Sequence, residues 1–89
     1  MATHLTKSTI GLHPVLYRVM FRAFNTTFCA GQYTAYSVDS GKEQAVELLK
    51  KRNLKTLESA EIQDFKGNTV ALLRPQSFKT GKYEFITVR

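Results

Sequence analysis

Apolar and polar residues alternate along most of this chain, which is the pattern of β-strands that bury one face. The first alternation runs from Val15 to Phe24, after Pro14, and the second runs from Phe28 to Val38. Asn25-Thr26-Thr27 lies between them and has the composition of a turn. Two strands joined by such a short turn favour an antiparallel hairpin.

The segment Gly41–Asn53 has the period of an α-helix instead. Ser40 and Glu43 have the spacing of a capping box at its start, and Asn53 can take the left-handed conformation that ends a helix. The apolar residues that share one helical face are Ala45, Leu48 and Leu49. We therefore predict one amphipathic helix after the first two strands.

Residues 54–65 are open to two interpretations. A strand would turn Ala60 and Ile62 inward. A second short helix would instead use one face made of Leu54, Leu57, Glu61 and Phe65. We favour the strand, because the tight-turn sequence at 66–68 and a clear strand at 69–74 then complete a hairpin.

Pro75 ends the strand at 69–74, and residues 82–89 form a last strand rich in β-branched and aromatic residues. The element order β-β-α-β-β-β predicts an α+β fold, a two-layer sandwich with one helix packed on an antiparallel sheet of four to five strands. Residues 1–11 are expected to form a flexible tail before a single domain at 12–89. One helix cannot cover such a sheet, so its second face is expected to be solvated, paired in a homodimer or used for binding.

The chain of 89 residues has a net charge of +6 and a pI of about 9.7, which favours polyanionic partners. Cys29 is its only cysteine, so no internal disulfide forms, as is typical of a reducing compartment. No apolar run approaches the roughly 18 residues of a membrane span, and the first eleven residues lack the layout of a signal peptide. We therefore predict a cytoplasmic protein that does not act at a membrane.

Side chains that could ligate a metal or act as nucleophiles are scattered. His4, His13 and Cys29 are far apart in the sequence, whereas zinc sites use closely spaced pairs of ligands. A Cys29–His13 dyad oriented by Asp39 can be imagined, but a lone strand cysteine is more often a small apolar side chain. Serine, histidine and aspartate are also present, as in most sequences, and no nucleophile elbow is visible. We predict no metal, no cofactor and no catalytic residues, and hence no enzyme.

The remaining chemical motifs are weak. Thr80-Gly81-Lys82 lacks the earlier glycine and the following helix of a phosphate-binding loop. Glu58, Glu61 and Asp64 form an acidic block that we interpret as a solvated edge or a patch for a basic partner.

Basic residues interleaved with aromatic residues give the strongest functional signal. The basic residues fall in three segments: Arg18 and Arg22; Lys50, Lys51, Arg52 and Lys55; and Arg74, Lys79 and Lys82. Single-stranded nucleic acid is typically held by a basic groove whose aromatic rings stack on bases, and Tyr33 and Tyr83 are the candidate stacking residues. No helix-turn-helix is evident, so the sequence favours RNA or single strands over duplex DNA.

Two resemblances point the same way. Residues 81–88 resemble the aromatic strand of RNA-recognition domains, since two aromatic residues two apart follow a glycine and a lysine. The strand 33–38 and the helix after it resemble units of small basic bacteriophage accessory proteins. That resemblance implies an RNA-binding factor that counters a host toxin or defence system. The alternative is a protein-interaction module that inhibits a host enzyme through its basic face or an exposed sheet edge.

Overall fold

An antiparallel sheet of five strands forms one layer of the protein, and one α-helix packs on it. The computed structural model describes residues 13–52, 56–75 and 81–88. The strands are β1 (Val15–Ala23), β2 (Thr26–Ala35), β3 (Leu57–Asp64), β4 (Thr69–Leu73) and β5 (Phe85–Thr87), and the helix is α1 (Lys42–Lys50). The strand order is β2-β1-β3-β4-β5, which confirms the predicted α+β sandwich.

The ambiguous segment after the helix is a strand, as the sequence favoured. β3 is the middle strand and pairs antiparallel with β1 on one side and β4 on the other. Ala60 and Ile62 point inward as predicted, and Ile62 is completely buried opposite Val19 of β1. The alternative of a second helix is wrong, because these side chains reach the core only through the two-residue period of a strand.

The first hairpin turns one residue earlier than predicted. Phe24 and Asn25 form a two-residue turn with φ angles of 54° and 59°, while Thr26 and Thr27 already belong to β2. Two-residue turns with positive φ at both positions match the right-handed twist of the flanking strands. Asn25 takes this conformation readily, whereas a phenylalanine adopts it at a cost.

The predicted capping box is wrong, because Ser40 pairs with Ser37 instead of the helix. The Ser37 amide donates to Ser40 Oγ at 3.0 Å, and the Ser40 amide donates to Ser37 Oγ at 3.1 Å. This pair leads into a 3₁₀ turn at Asp39–Gly41, so β2 stops at Ala35 and not at Val38. α1 ends at Lys50, and the predicted helix end at Asn53 lies outside the described residues.

The core lies between α1 and one face of the sheet. Its completely buried large side chains are Val19, Leu49 and Ile62. The sheet has a second face, here called the open face, which points away from α1. Its side chains include Leu16, Arg18, Met20 and Arg22 of β1, Glu61 and Gln63 of β3, Leu72 of β4, and Ile86 and Val88 at β5.

Candidate nucleic-acid interface

Most of the predicted basic residues that are described lie toward one end of the sheet. Ala23, the end of β1, is opposite Leu57, the start of β3, and Leu73, the end of β4, is opposite Phe85, the start of β5. α1 leads toward the same end, because only four residues separate Arg52 from β3. We call this region the basic end and define it by Arg22, Lys50, Lys51, Arg52, Arg74 and Lys82.

Three lysines of the basic end carry uncompensated charge. Lys50, Lys51 and Lys82 are exposed and form no ion pair within the described ranges. Two arginines instead form ion pairs with carboxylates: Arg22 lies 3.5 Å from Glu58, and Arg74 lies 2.8 Å from Glu84. The opposite end is not basic, since it holds Lys42 and Lys66 together with Asp39, Glu43 and Asp64.

A continuous basic track that includes Arg18 is not formed. Arg18 lies on the open face, opposite Gln32 and Gln63, and therefore on the other side of the sheet from Lys50 and Lys51. Arg22 shares that face but lies at the end of β1, near the turn. Lys55 and Lys79 lie outside the described residues.

Arg52 serves the fold as well as the charge of the basic end. Its guanidinium donates to the carbonyl oxygens of Cys29 at 3.2 Å and Ala30 at 3.3 Å. Gln44 of α1 donates to the carbonyl of Thr34 at 3.2 Å, so two side chains cover carbonyls along the outer edge of β2. Covered edges resist the addition of another strand, which argues against β2 as the exposed sheet edge in the alternative of a protein-interaction module.

Tyr83 and Lys50, which were predicted as a stacking and a phosphate-binding residue, line the same groove. This open groove has a volume of about 700 Å³ and lies between α1 and the segment that leads into β5. The other lining residues are Lys42, Glu43, Val46, Glu47, Glu84 and Phe85. The groove is therefore mixed in charge, and its cationic, aromatic part is where Lys50 and Tyr83 lie.

Tyr33 cannot stack on a base, and its assignment as a stacking residue is wrong. Only 8% of its surface is exposed, and its ring stacks on Tyr17 with 5.6 Å between ring centroids. Its hydroxyl is buried and has no hydrogen-bond partner among the described residues. Burial, and to a smaller extent the neighbouring Tyr17, raises the pKa of Tyr33 to about 12. The alternation along β2 puts Tyr33 and Ala35 on one face of the strand, and the packing of the helical segment against that face buries the ring.

Phe24 is an aromatic residue of the basic end that the sequence pattern did not indicate. It is 72% exposed at the tip of the first hairpin, next to Asn25, whose amide donates to Glu58. Phe28 is also partly exposed nearby, but its ring stacks on Phe21 at 5.3 Å. The signal that could have identified Phe24 is the two-residue turn, which removes it from the strand alternation and turns it toward solvent.

The acidic block does not form a single patch, because its members serve different neighbours. Glu58 pairs with Arg22, and Glu61 accepts hydrogen bonds from Gln63 at 2.8 Å and Thr69 at 2.7 Å. Asp64 accepts from the amides of Asn68 and Lys66 in the β3–β4 turn, and these bonds lower the pKa of its carboxyl, with the Asn68 amide contributing most. Over the described ranges, no three His, Cys, Asp or Glu side chains form a group that could hold a metal ion.

Comparison with models of known protein families, with curated proteins and with solved structures finds no match. The resemblances to bacteriophage accessory proteins and to RNA-recognition domains therefore stay predictions. Within 13–52, 56–75 and 81–88, no helix has the length and hydropathy needed to cross a membrane.

Proposed function

We propose that this protein is a non-enzymatic binding protein for single-stranded nucleic acid, with RNA preferred over duplex DNA. The observation that carries the proposal is the basic end, where three lysines without ion-pair partners in the described structure lie at the same end of the sheet as the exposed ring of Phe24 and the partly buried ring of Tyr83. Lys50, Lys51 and Lys82 contact phosphates, and Phe24 and Tyr83 stack on bases.

The positions of the exposed aromatic rings favour binding at the basic end over binding along the open face. RNA-binding sheets stack bases on aromatic residues that point outward from the strands. The described side chains of the open face are aliphatic, polar or charged, and the exposed rings lie at the ends of strands. A strand of nucleic acid therefore crosses the basic end and does not follow the open face.

The preference for single strands follows from the same features. Unpaired bases expose the flat surfaces on which Phe24 and Tyr83 can stack, whereas the bases of a duplex are stacked on each other. α1 packs its apolar face on the sheet and is not presented for insertion into a major groove.

The test is a fluorescence-anisotropy titration of the full chain with single-stranded RNA of random sequence, repeated over a series of salt concentrations. Each phosphate contact should contribute about 0.7 to the slope of log affinity against log salt. K51Q and K82Q should each reduce the slope by about that amount. K66Q removes the same charge at the opposite end and should leave the slope unchanged. Absence of binding at low salt, or an equal effect of all three variants, would refute the proposal.

The stacking role is tested separately at Tyr83, because this side chain also packs against the core. Y83F keeps the ring and should retain the affinity for RNA, whereas Y83L keeps an apolar side chain without a ring and should weaken the affinity by about tenfold. A duplex DNA of matched length should bind more weakly than RNA to the unmodified chain. Equal affinity of Y83F and Y83L would remove Tyr83 from the site.

A further inference from the structure

The open face contains a row of five residues that crosses all five strands. The register places directly opposite neighbours in the order Cys29, Met20, Glu61, Leu72 and Ile86. Leu72 and Ile86 are 49% and 44% exposed, and Leu16 and Val88 on the same face are exposed to a similar degree. One side of the sheet therefore exposes several aliphatic side chains among polar and charged ones, and α1 does not cover it.

Two charged groups in the middle of this face lack a partner of opposite charge among the residues that the structure describes. Arg18 forms no ion pair there. Glu61 is fixed by neutral donors, namely Gln63 and Thr69. Arg18 lies two residues from Met20 on β1, and Met20 is opposite Glu61, so the two charges are diagonal neighbours.

We propose that the open face is the interface of a homodimer, in which Arg18 of each chain pairs with Glu61 of the partner subunit. In a two-fold interface every contact occurs twice, so a face with one cation and one anion near its centre complements itself. Packed sheets lie about 10 Å apart with their side chains interdigitated, which suits Met20, Leu72 and Ile86.

The symmetry axis that forms this pair runs between the two sheets, across the strands at the level of Val19. Along the strand direction, this axis places Arg18 at the same height as Glu61 of the partner subunit. Across the strands, the two residues are offset by about 4.8 Å, which is the spacing of one strand. The same axis points the two basic ends in opposite directions. Each basic end then lies beside the less basic end of the other chain, which lowers the repulsion between two chains of net charge +6.

The area of the face is sufficient for a weak but specific dimer. Five strands about 4.8 Å apart, with a central strand of eight residues rising about 3.3 Å each, span roughly 600 Å². Two such faces bury about 1,200 Å², which is the lower limit of specific interfaces. We therefore expect a reversible dimer and not a permanent one.

Sedimentation equilibrium of the full chain, treated with nuclease and studied over a range of concentrations, tests the proposal. The unmodified chain should show a monomer–dimer equilibrium, and L72K and I86K should each weaken it by about tenfold or more, since each places two unpaired charges in the interface. F65K changes an exposed ring in the β3–β4 turn, beyond the end of β3 at Asp64, and should not alter the equilibrium. Circular dichroism and thermal unfolding verify that the variants fold.

The ion pair is tested by exchanging its charges. R18E and E61R should each weaken the dimer, while the double variant R18E/E61R should recover most of the loss, because the pair is restored with reversed sign. If the double variant loses as much dimer affinity as the two single variants combined, the pairing is refuted.

If the chain remains monomeric up to about 1 mM, the dimer is refuted. If the chain associates but L72K and I86K do not change the association, another surface forms the dimer and the proposal is also refuted. Association that disappears on nuclease treatment would mean that nucleic acid bridges the chains. The inference does not depend on the proposed function, since RNA affinity is measured on the basic end by separate variants.

Discussion

At Tyr33, a side chain that belongs to the core retains a polar group without a described partner. Its hydroxyl is buried, and the ring is held between Tyr17 and Gly41. A buried hydroxyl without a hydrogen bond costs about 1–3 kcal/mol of desolvation. The residue is thus a place where the fold sacrifices stability.

Removal of this hydroxyl should make the protein more stable. Y33F should raise the free energy of unfolding by about 1 kcal/mol, because it keeps the ring contacts and removes the unpaired group. Urea denaturation at neutral pH measures the gain. Y36F, at the 56%-exposed Tyr36, is the matched control and should change little.

The raised pKa of Tyr33 adds a dependence on pH. The unfolded chain ionises this phenol near pH 10 and the folded chain near pH 12, so stability holds below pH 10 and falls as the pH rises between these values. Y33F should lack this part of the alkaline loss, whereas Y36F should retain it. An equal decline in both variants would contradict the burial of Tyr33.

Phe24 is the residue where stability and the proposed function are expected to conflict. Its positive φ costs a bulky residue about 1–2 kcal/mol, and asparagine tolerates the same conformation better. F24N should therefore raise the free energy of unfolding by about 1 kcal/mol while it weakens RNA binding. F65N changes an exposed ring outside the strained turn and should do neither. A stabilised F24N with unchanged RNA affinity would exclude Phe24 from the site.

At the scale of elements, the contact between the start of α1 and β2 depends on the absence of a side chain. A Cβ on Gly41 would lie 2.5 Å from Cε2 of Tyr33 and 2.8 Å from Cβ of Ala35. G41A should therefore lower the free energy of unfolding by about 2 kcal/mol, the typical cost of overpacking a core. Chemical denaturation measures the loss. G41A should cost less when it is added to Y33L than when it is added to the unmodified chain, because the tyrosine ring is the nearest group that the new methyl meets. An equal cost of G41A in both backgrounds would assign the clash to Ala35.

The period of the apolar residues was sufficient to predict the elements, but not where they end. Strands and helix were recognised because each buries one face, and that requirement is local. The predicted element ends were wrong at two places. At Ser37 and Ser40, side-chain hydrogen bonds to the backbone end β2 early. At Phe24, the twist of the hairpin selects a two-residue turn. The contact of Arg52 with β2 and the burial of Tyr33 were not predicted for a different reason, since both depend on contacts between residues far apart in the sequence.

For the whole molecule, the charge is organised along the strands and not between the two faces of the sheet. Composition predicted a basic protein, and the sequence named the basic segments. Arg18 and the lysines at the end of α1 lie on opposite sides of the sheet, and the pairing of β1 with β3 places Arg22 opposite Ser59 near the start of β3, at the end of the sheet to which α1 leads. No local pattern encodes that pairing, because the two strands are far apart in the chain.

The pairing of β1 with β3 also determines how fast the chain can reach this structure. Residues 13–52 form a hairpin and a helix, and residues 56–88 contain the strands of a meander, so the contacts within each part join near neighbours. Such contacts form within microseconds, whereas β1 and β3 meet only after the chain from Ala23 to Leu57 has closed into a loop. The folding barrier is therefore expected at this single docking step, and changes along the β1–β3 ladder should slow folding more than changes at either hairpin tip.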